Sequence, residues 1–209
     1  MYLRCVPAGA VSANCYVLCD EKTKVGAVID VGEFNKSIES AIADSGMKEL
    51  KYILCTHGHF DHISGVADLK KRYPDAKICI GKPDSPLLCD EYLNLATHFG
   101  APYSPCYADV ELESGDKIAV GEIEFEIYSA PGHTPGGVLY VSNGEKAIFT
   151  GDTLFYGSVG RTDLVGGDTQ TLLKTLQKFK NFPKDYMIFS GHGISSSIGR
   201  ELERNMYLR

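Results

Sequence analysis

The run Thr56-His57-Gly58-His59-Phe60-Asp61-His62 gathers three imidazoles and a carboxylate into one short stretch. Neutral imidazole and carboxylate are good ligands for zinc and related divalent ions, and one turn of backbone supplies several of them with little further ordering. A lone His or Asp near a helix start is more often a cap or a satisfied surface residue, so the remaining histidines matter. The chain has six His, and His57, His59, His62, His133 and His192 each sit beside Gly, Asp or Pro at the end of an apolar run. Only His98 is left over. A two-metal site needs roughly this inventory, because ions about 3.5–4 Å apart share a bridging carboxylate while His completes each shell. Asp152, in Phe149-Thr150-Gly151-Asp152, is the natural bridge.

The elements that must hold these residues can be read from pattern. Residues 15–18 and 25–31 are rich in Val and Ile and flank a charged turn, which reads as a hairpin. Asn35 can then cap a helix that buries Ile38, Ala41 and Ile42 and ends at Gly46. Residues 51–55 form the strand that delivers Thr56 to His62 at its C-terminal end, where open α/β sheets build their sites. Val66, Leu69 and Tyr73 repeat at helical spacing before Pro74 stops the helix, and residues 77–80 make a short strand. Ser85-Pro86 starts a further helix with Leu88, Tyr92 and Leu95 inward. The Gly- and Pro-containing stretch 94–107 is either a lid or a plain connection.

Residues 117–128 hold a hairpin in which Ile123, Phe125 and Ile127 alternate with Glu122, Glu124 and Glu126. Its far end runs into Ala130-Pro131-Gly132-His133, where Pro and Gly fix a turn that presents the imidazole. Two buried strands follow, 138–141 and 147–150, the second ending at Asp152. Asp168 caps a helix with Leu172, Leu173, Leu176 and Phe179 inward, residues 186–190 form the last strand before Gly191-His192, and the stretch to Arg209 is expected to be helical. Four strands thus stop at Thr56, His133, Asp152 and His192. Distant ligands can therefore converge on one sheet edge.

Composition narrows the function. The chain has 209 residues, 44% of them hydrophobic, and no long apolar run, which suits one domain over residues 1–209 with a substantial core. The N-terminus shows no basic leader followed by an apolar segment, so a cytoplasmic protein is expected. Seven Cys without a Cys-x-x-Cys pair suit reduced, mostly core thiols. A net charge of -6 argues against a nucleic-acid surface, which needs clustered Lys and Arg.

Taken in order, Thr56-His57-x-His59-x-Asp61-His62, Gly132-His133, Gly151-Asp152 and Gly191-His192 resemble the metallo-β-lactamase superfamily across nearly the whole chain. Ala13-Asn14-Cys15-Tyr16, Pro131-Gly132-His133-Thr134-Pro135-Gly136 and Gly151-Asp152-Thr153-Leu154-Phe155, followed by Gly160-Arg161-Thr162-Asp163, look like the short bacterial-type members of the glyoxalase II (hydroxyacylglutathione hydrolase) group. The resemblance implies an αββα sandwich with two divalent metal ions at one edge. Zinc is the first expectation, with iron or manganese as alternatives. It places His57, His59 and His133 on one ion, Asp61, His62 and His192 on the other, and Asp152 between them.

By the same resemblance, the activity is hydrolysis of a hydroxyacyl-thiol thioester, a small-molecule substrate, with no nucleic-acid or membrane partner. A metal-bound water with its pKa lowered to about 7 provides the hydroxide, oriented by Asp61. Arg161 stands where glyoxalase II relatives place a basic residue against a carboxylate of the thiol carrier; pairing with Asp163 is the alternative. Full-length glyoxalase II enzymes carry an additional helical region after this point, and Met206 stands where the short members usually have Pro, so the carrier does not follow from the resemblance. The rival activity is a persulfide dioxygenase, which resembles the same motif but uses one iron held by two His and one carboxylate. A non-catalytic metal-binding module is a third reading.

Overall fold

Strands form where Val, Ile and aromatic residues cluster between turn residues, and they assemble into two six-stranded sheets. The structure is a computed structural model that describes residues 1–209. The first sheet runs in chain order through β1 (Tyr2–Ala8), β2 (Ala13–Cys19), β3 (Val25–Ile29), β4 (Glu49–Leu54), β5 (Lys77–Gly81) and β6 (Val110–Leu112). Its first three strands are antiparallel and β3 to β6 are parallel. The second holds β7 (Lys117–Val120), β8 (Ile123–Ser129), β9 (Val138–Ser142), β10 (Ala147–Gly151), β11 (Met187–Ser190) and β12 (Ser196–Ser197), with β10 and β11 as its one parallel pair.

The sheets face each other. Leu18, Ile29 and Leu54 of the first pack with Phe125, Ile127, Tyr140 and Phe149 of the second in one apolar layer. Every residue of β2, β9 and β10 is buried, because these strands are covered on both faces. The outer coverings are helical: α1 (Lys36–Asp44), α2 (Phe60–Ile63) and α3 (Val66–Arg72) lie on the first sheet, and α5 (Thr169–Gln177) and α6 (Ile198–Arg204) on the second. The expected αββα sandwich is the observed fold. No helix is long and apolar enough to cross a membrane.

Capping fixes several boundaries. Asn35 Oδ1 accepts hydrogen bonds from the Ser37 and Ile38 N–H groups, and Asp168 Oδ1 from that of Thr171, so α1 and α5 start where the sequence places them. The expected helix after Ser85-Pro86 does not form. Residues 82–88 make a 3₁₀ segment, Tyr92 is exposed, and only one helical turn follows as α4 (Ala96–Phe99). Side chains there compete with the helix for backbone donors: Asp90 Oδ1 accepts from Tyr92 and Leu93 N–H, and Asn94 Oδ1 from Ala96 N–H. In α5, Leu173 faces solvent rather than the core, and after α6 the chain ends in turns. The edge strand β1 tolerates Pro7, whose missing N–H costs nothing at an unpaired edge.

Candidate metal centre

The chemistry-bearing residues meet where strands end at one edge of the sandwich. The loop leaving β4 carries His57 and His59, and α2 then presents Asp61 and His62. The turn after β8 brings in His133, β10 runs out at Asp152, and β11 runs out at His192. Space around Asp152 depends on two glycines: a Cβ at Gly160 would strike the Asp152 carbonyl oxygen, and one at Gly191 would strike Asp152 Oδ1.

Three groups of donors result, each with its donor atoms within 4.8 Å of one another: His57 with His59 and His133, Asp61 with His62 and His192, and Asp30 with His57 and His62. The first two groups are the expected ligand sets. His59 Nδ1 lies 2.9 Å from His133 Nε2, His192 Nε2 lies 3.2 Å from Asp61 Oδ2, and His62 Nε2 lies 3.3 Å from His192 Nε2. Donors on a tetrahedral cation with bonds of about 2.0–2.1 Å sit about 3.3 Å apart, so these spacings suit cation binding. Asp152 spans both sets: its Oδ2 is 3.5 Å from both His133 Nε2 and His192 Nε2, and its Oδ1 is 3.3 Å from His62 Nε2. His98 belongs to none of the groups. Of the atoms facing these groups, His57 Nε2 and Asp152 Oδ1 are buried without any hydrogen-bond partner. Such orphaned groups cost about 1–3 kcal/mol each, and a divalent cation is the partner that satisfies nitrogen and carboxylate lone pairs together.

Surrounding groups set the ring tautomers. Asp30, buried at the end of β3, accepts from the Thr56 N–H and hydroxyl (both 2.7 Å) and from His62 Nδ1 (3.0 Å). Thr56 has given its only hydroxyl proton to Asp30, so its oxygen, 3.1 Å from His57 Nδ1, can only accept there. The Arg161 carbonyl oxygen likewise can only accept from His133 Nδ1, at 2.7 Å. His57, His62 and His133 therefore all present an unprotonated Nε2, the ligand form.

Electrostatics agree with this for His57 and oppose it for His62, whose acidic neighbours favour the charged ring. Burial, then the charges of neighbouring histidines, pushes His57 well below the usual imidazole range, and burial followed by His133 takes His59 down to about 3. Burial opposes ionisation of Asp61 and Asp152, but His62 chiefly outweighs it and both stay ionised. His62 runs the other way: burial disfavours its charged form, yet Asp61, Asp152 and Asp30 together hold it well above the usual range. A cleft of about 460 Å³ opens over both groups. Arg161 stands on its wall, gripped by Asp163 through two bonds of 2.7 Å, Nε to Oδ1 and Nη2 to Oδ2.

The metallo-beta-lactamase superfamily profile (Lactamase_B) matches residues 8–192, a span that contains every member of both groups. The chain belongs to the metallo-β-lactamase superfamily. Its similar proteins include hydroxyacylglutathione hydrolase GloC of Haemophilus influenzae, 31% identical over 211 residues that cover 100% of this chain and 98% of that one. Among solved structures, the BLEG-1 B3 metallo-β-lactamase superposes with a TM-score of 0.92 at 31% identity, covering 99% of each chain. TTHA1623 in a di-iron-bound form follows at 0.86 and 30%, covering 98% of this chain and 100% of that one.

Two residues of this metallo-β-lactamase fold escaped the sequence reading. Asp30 adopts a left-handed backbone (φ +55°), uncommon outside glycine and tolerated by Asp, and that turn aims its carboxylate back at His62. An acid immediately after an apolar strand was its only signal. Asp84, fully buried, accepts from Gly58 N–H (2.9 Å) and Gly136 N–H (2.6 Å), and so ties the loop of His57 and His59 to the turn of His133. Burial pushes its carboxyl up, with these bonds opposing. Its setting between Pro83 and Pro86 concealed that role.

Proposed function

We propose that the chain is a metal-dependent hydrolase that cleaves a hydroxyacyl-thiol thioester in the cytoplasm. The observation that carries this reading is the single carboxylate of Asp152 reaching donor atoms of both histidine groups at the floor of one cleft. The 31% identical hydroxyacylglutathione hydrolase of Haemophilus influenzae, matched end to end, supports the substrate class. The net charge of -6 favours a small molecule over nucleic acid.

In this reading His57, His59 and His133 would hold one cation and Asp61, His62 and His192 the second, with Asp152 placed to serve both. The nitrogen and oxygen donors suit zinc, and the di-iron form of TTHA1623 supports iron as an alternative; manganese suits the same donors. Bound there, divalent cations supply Lewis acidity toward a carbonyl and acidify water. Asp61, ionised at neutral pH, accepts a hydrogen bond from the attacking water and orients it. Asp30, Thr56 and the Arg161 carbonyl keep the histidine rings fixed while charge develops. A thiolate departs without a dedicated acid, since its parent thiol has a pKa of about 8.5. Arg161 lies on the cleft wall, where a carrier carboxylate would have to displace Asp163 to reach it.

The test is to incubate the cation-loaded chain with a hydroxyacyl thioester while following thiol release and dissolved oxygen. Thiol release without oxygen uptake is the expected result. Oxygen uptake with a glutathione persulfide and no thioester turnover would replace hydrolysis with the dioxygenase reading.

A further inference from the structure

We infer that the cleft selects thioesters whose thiol carrier is apolar and uncharged, and disfavours carriers that present free carboxylates. This rests on the thioester reading above and specifies its substrate. Besides the candidate ligands and Arg161, every side chain lining the cleft is apolar, chiefly Phe60, Phe99, Phe155, Val11, Leu95 and Leu164. Phe60 and Phe99 stack with ring centroids 5.3 Å apart, and Phe155 stands 6.1 Å from the His192 ring. Val11 and Phe99 are half-exposed, so this apolar rim is left for a ligand to cover.

The backbone is strained to build that wall. Leu95 has φ +73°, a left-handed conformation rare for a bulky side chain, yet it is buried on the cleft side. Asn94 holds it there, accepting from Ala96 N–H and donating from Nδ2 to the Leu87 carbonyl, both at 2.9 Å. The consequence is that α4 carries Phe99 onto Phe60 at the cleft mouth.

The basic side chains beside the cleft are already paired. Arg161 is the only Lys or Arg on the wall, and Asp163 occupies the Nε/Nη2 edge of its guanidinium, offsetting its charge. Asp163 is ionised at neutral pH and competes for it, with Arg161 holding its carboxyl down at about 2. Arg200, beside the same loop, is bound to Glu201 and lies over the Tyr156 ring at 3.3 Å. A second groove of about 610 Å³ shares Phe60 and Asp61 with the cleft; it adds Glu33 and Asp68 and has no Lys, Arg or His in its lining. A carrier with free carboxylates would meet acid in that groove and, in the cleft, an arginine it must share with Asp163. An apolar carrier buries the exposed rim instead.

The experiment compares lactoyl esters of glutathione, of glutathione dimethyl ester and of 2-phenylethanethiol on the zinc-loaded chain. The same three thiols are also made as unreactive thioethers, whose binding is measured by calorimetry. The expected order is phenylethanethiol above glutathione by tenfold or more in kcat/KM and in affinity, with the dimethyl ester above free glutathione. Phe99→Ala should cut the phenylethanethiol preference at least threefold while zinc content is unchanged. A preference for free glutathione, or no discrimination, overturns the inference. If no ester releases thiol, the hydrolase reading fails separately, and the thioether affinities still decide: tenfold tighter binding of the apolar arm upholds it, and equal or reversed order removes it.

Discussion

Asp30 accepts three buried hydrogen bonds, two from Thr56 and one from His62, and touches no position where a cation would sit on Nε2. Removing it leaves the His62 ring free to turn and the Thr56 hydroxyl free to change partners, so Asp30→Ala should weaken cation binding by about 10–100-fold. Competition against a chromophoric chelator reads this directly, and undiminished affinity would reduce Asp30 to a turn residue. His98→Ala serves as the control and should leave metal content alone, since His98 lies outside both donor groups. The difference between these residues explains what could be read from sequence at this scale. Ligands announce themselves because five imidazoles at the ends of apolar runs are hard to explain otherwise. Asp30 and Asp84 are single acids beside a strand and between prolines, and only the folded chain shows that each ties two loops together.

Between elements, the C-terminal helix braces the loop that backs the centre. Glu201 in α6 is fully buried, accepts from the Gly157 N–H at 2.9 Å and from Asn205 Nδ2 at 2.9 Å, and also binds Ser196 and Arg200; Asn205 in turn donates to the Ser158 carbonyl at 3.1 Å. Truncating it strands buried donors, so Glu201→Ala should cost about 1–3 kcal/mol in a denaturant titration, whereas exposed Glu203→Ala should change little. Equal effects from both would deny the brace. A second tie joins the β2–β3 turn to the β7–β8 turn. Asp20 accepts from the Glu122 N–H (2.8 Å), the Thr23 hydroxyl (2.7 Å) and the Lys22 N–H (3.0 Å). The Glu122 bond first, then those from Thr23 and Lys22, lower its pKa from 3.8 to about 2. Because the folded-state value is the lower one, its stabilisation is present above pH 3.8 and is lost as pH falls toward 2. Asp20→Asn should therefore lose stability at pH 6 and show a shallower decline between pH 4 and 2 than the parent chain, as followed by chemical denaturation; parallel declines would contradict this. Elements with strong caps and periodicity, α1 and α5, were legible. The stretch 85–95 was not, because its apolar spacing is helical while Asp90 and Asn94 take the backbone donors a helix would use.

Across the whole molecule, the sandwich exists to hold strand ends still. Phe149 lies fully buried between the sheets, stacked on Phe189 at 5.1 Å and edge-on to Tyr16 at 5.2 Å, three residues before Asp152. The sequence conveyed the convergence of strand ends and the layered fold, yet not the strand order, the edge strand β1, or the short strands β6 and β12, whose pairing is decided by distant partners. The central claim is that one carboxylate serves two cations, and metal analysis of the purified chain beside Asp152→Ala tests it most directly. Two equivalents of divalent metal in the parent chain, with substantial loss from both sites in the variant, is the predicted result. A parent chain that saturates at one equivalent, or a variant that keeps two, would contradict it.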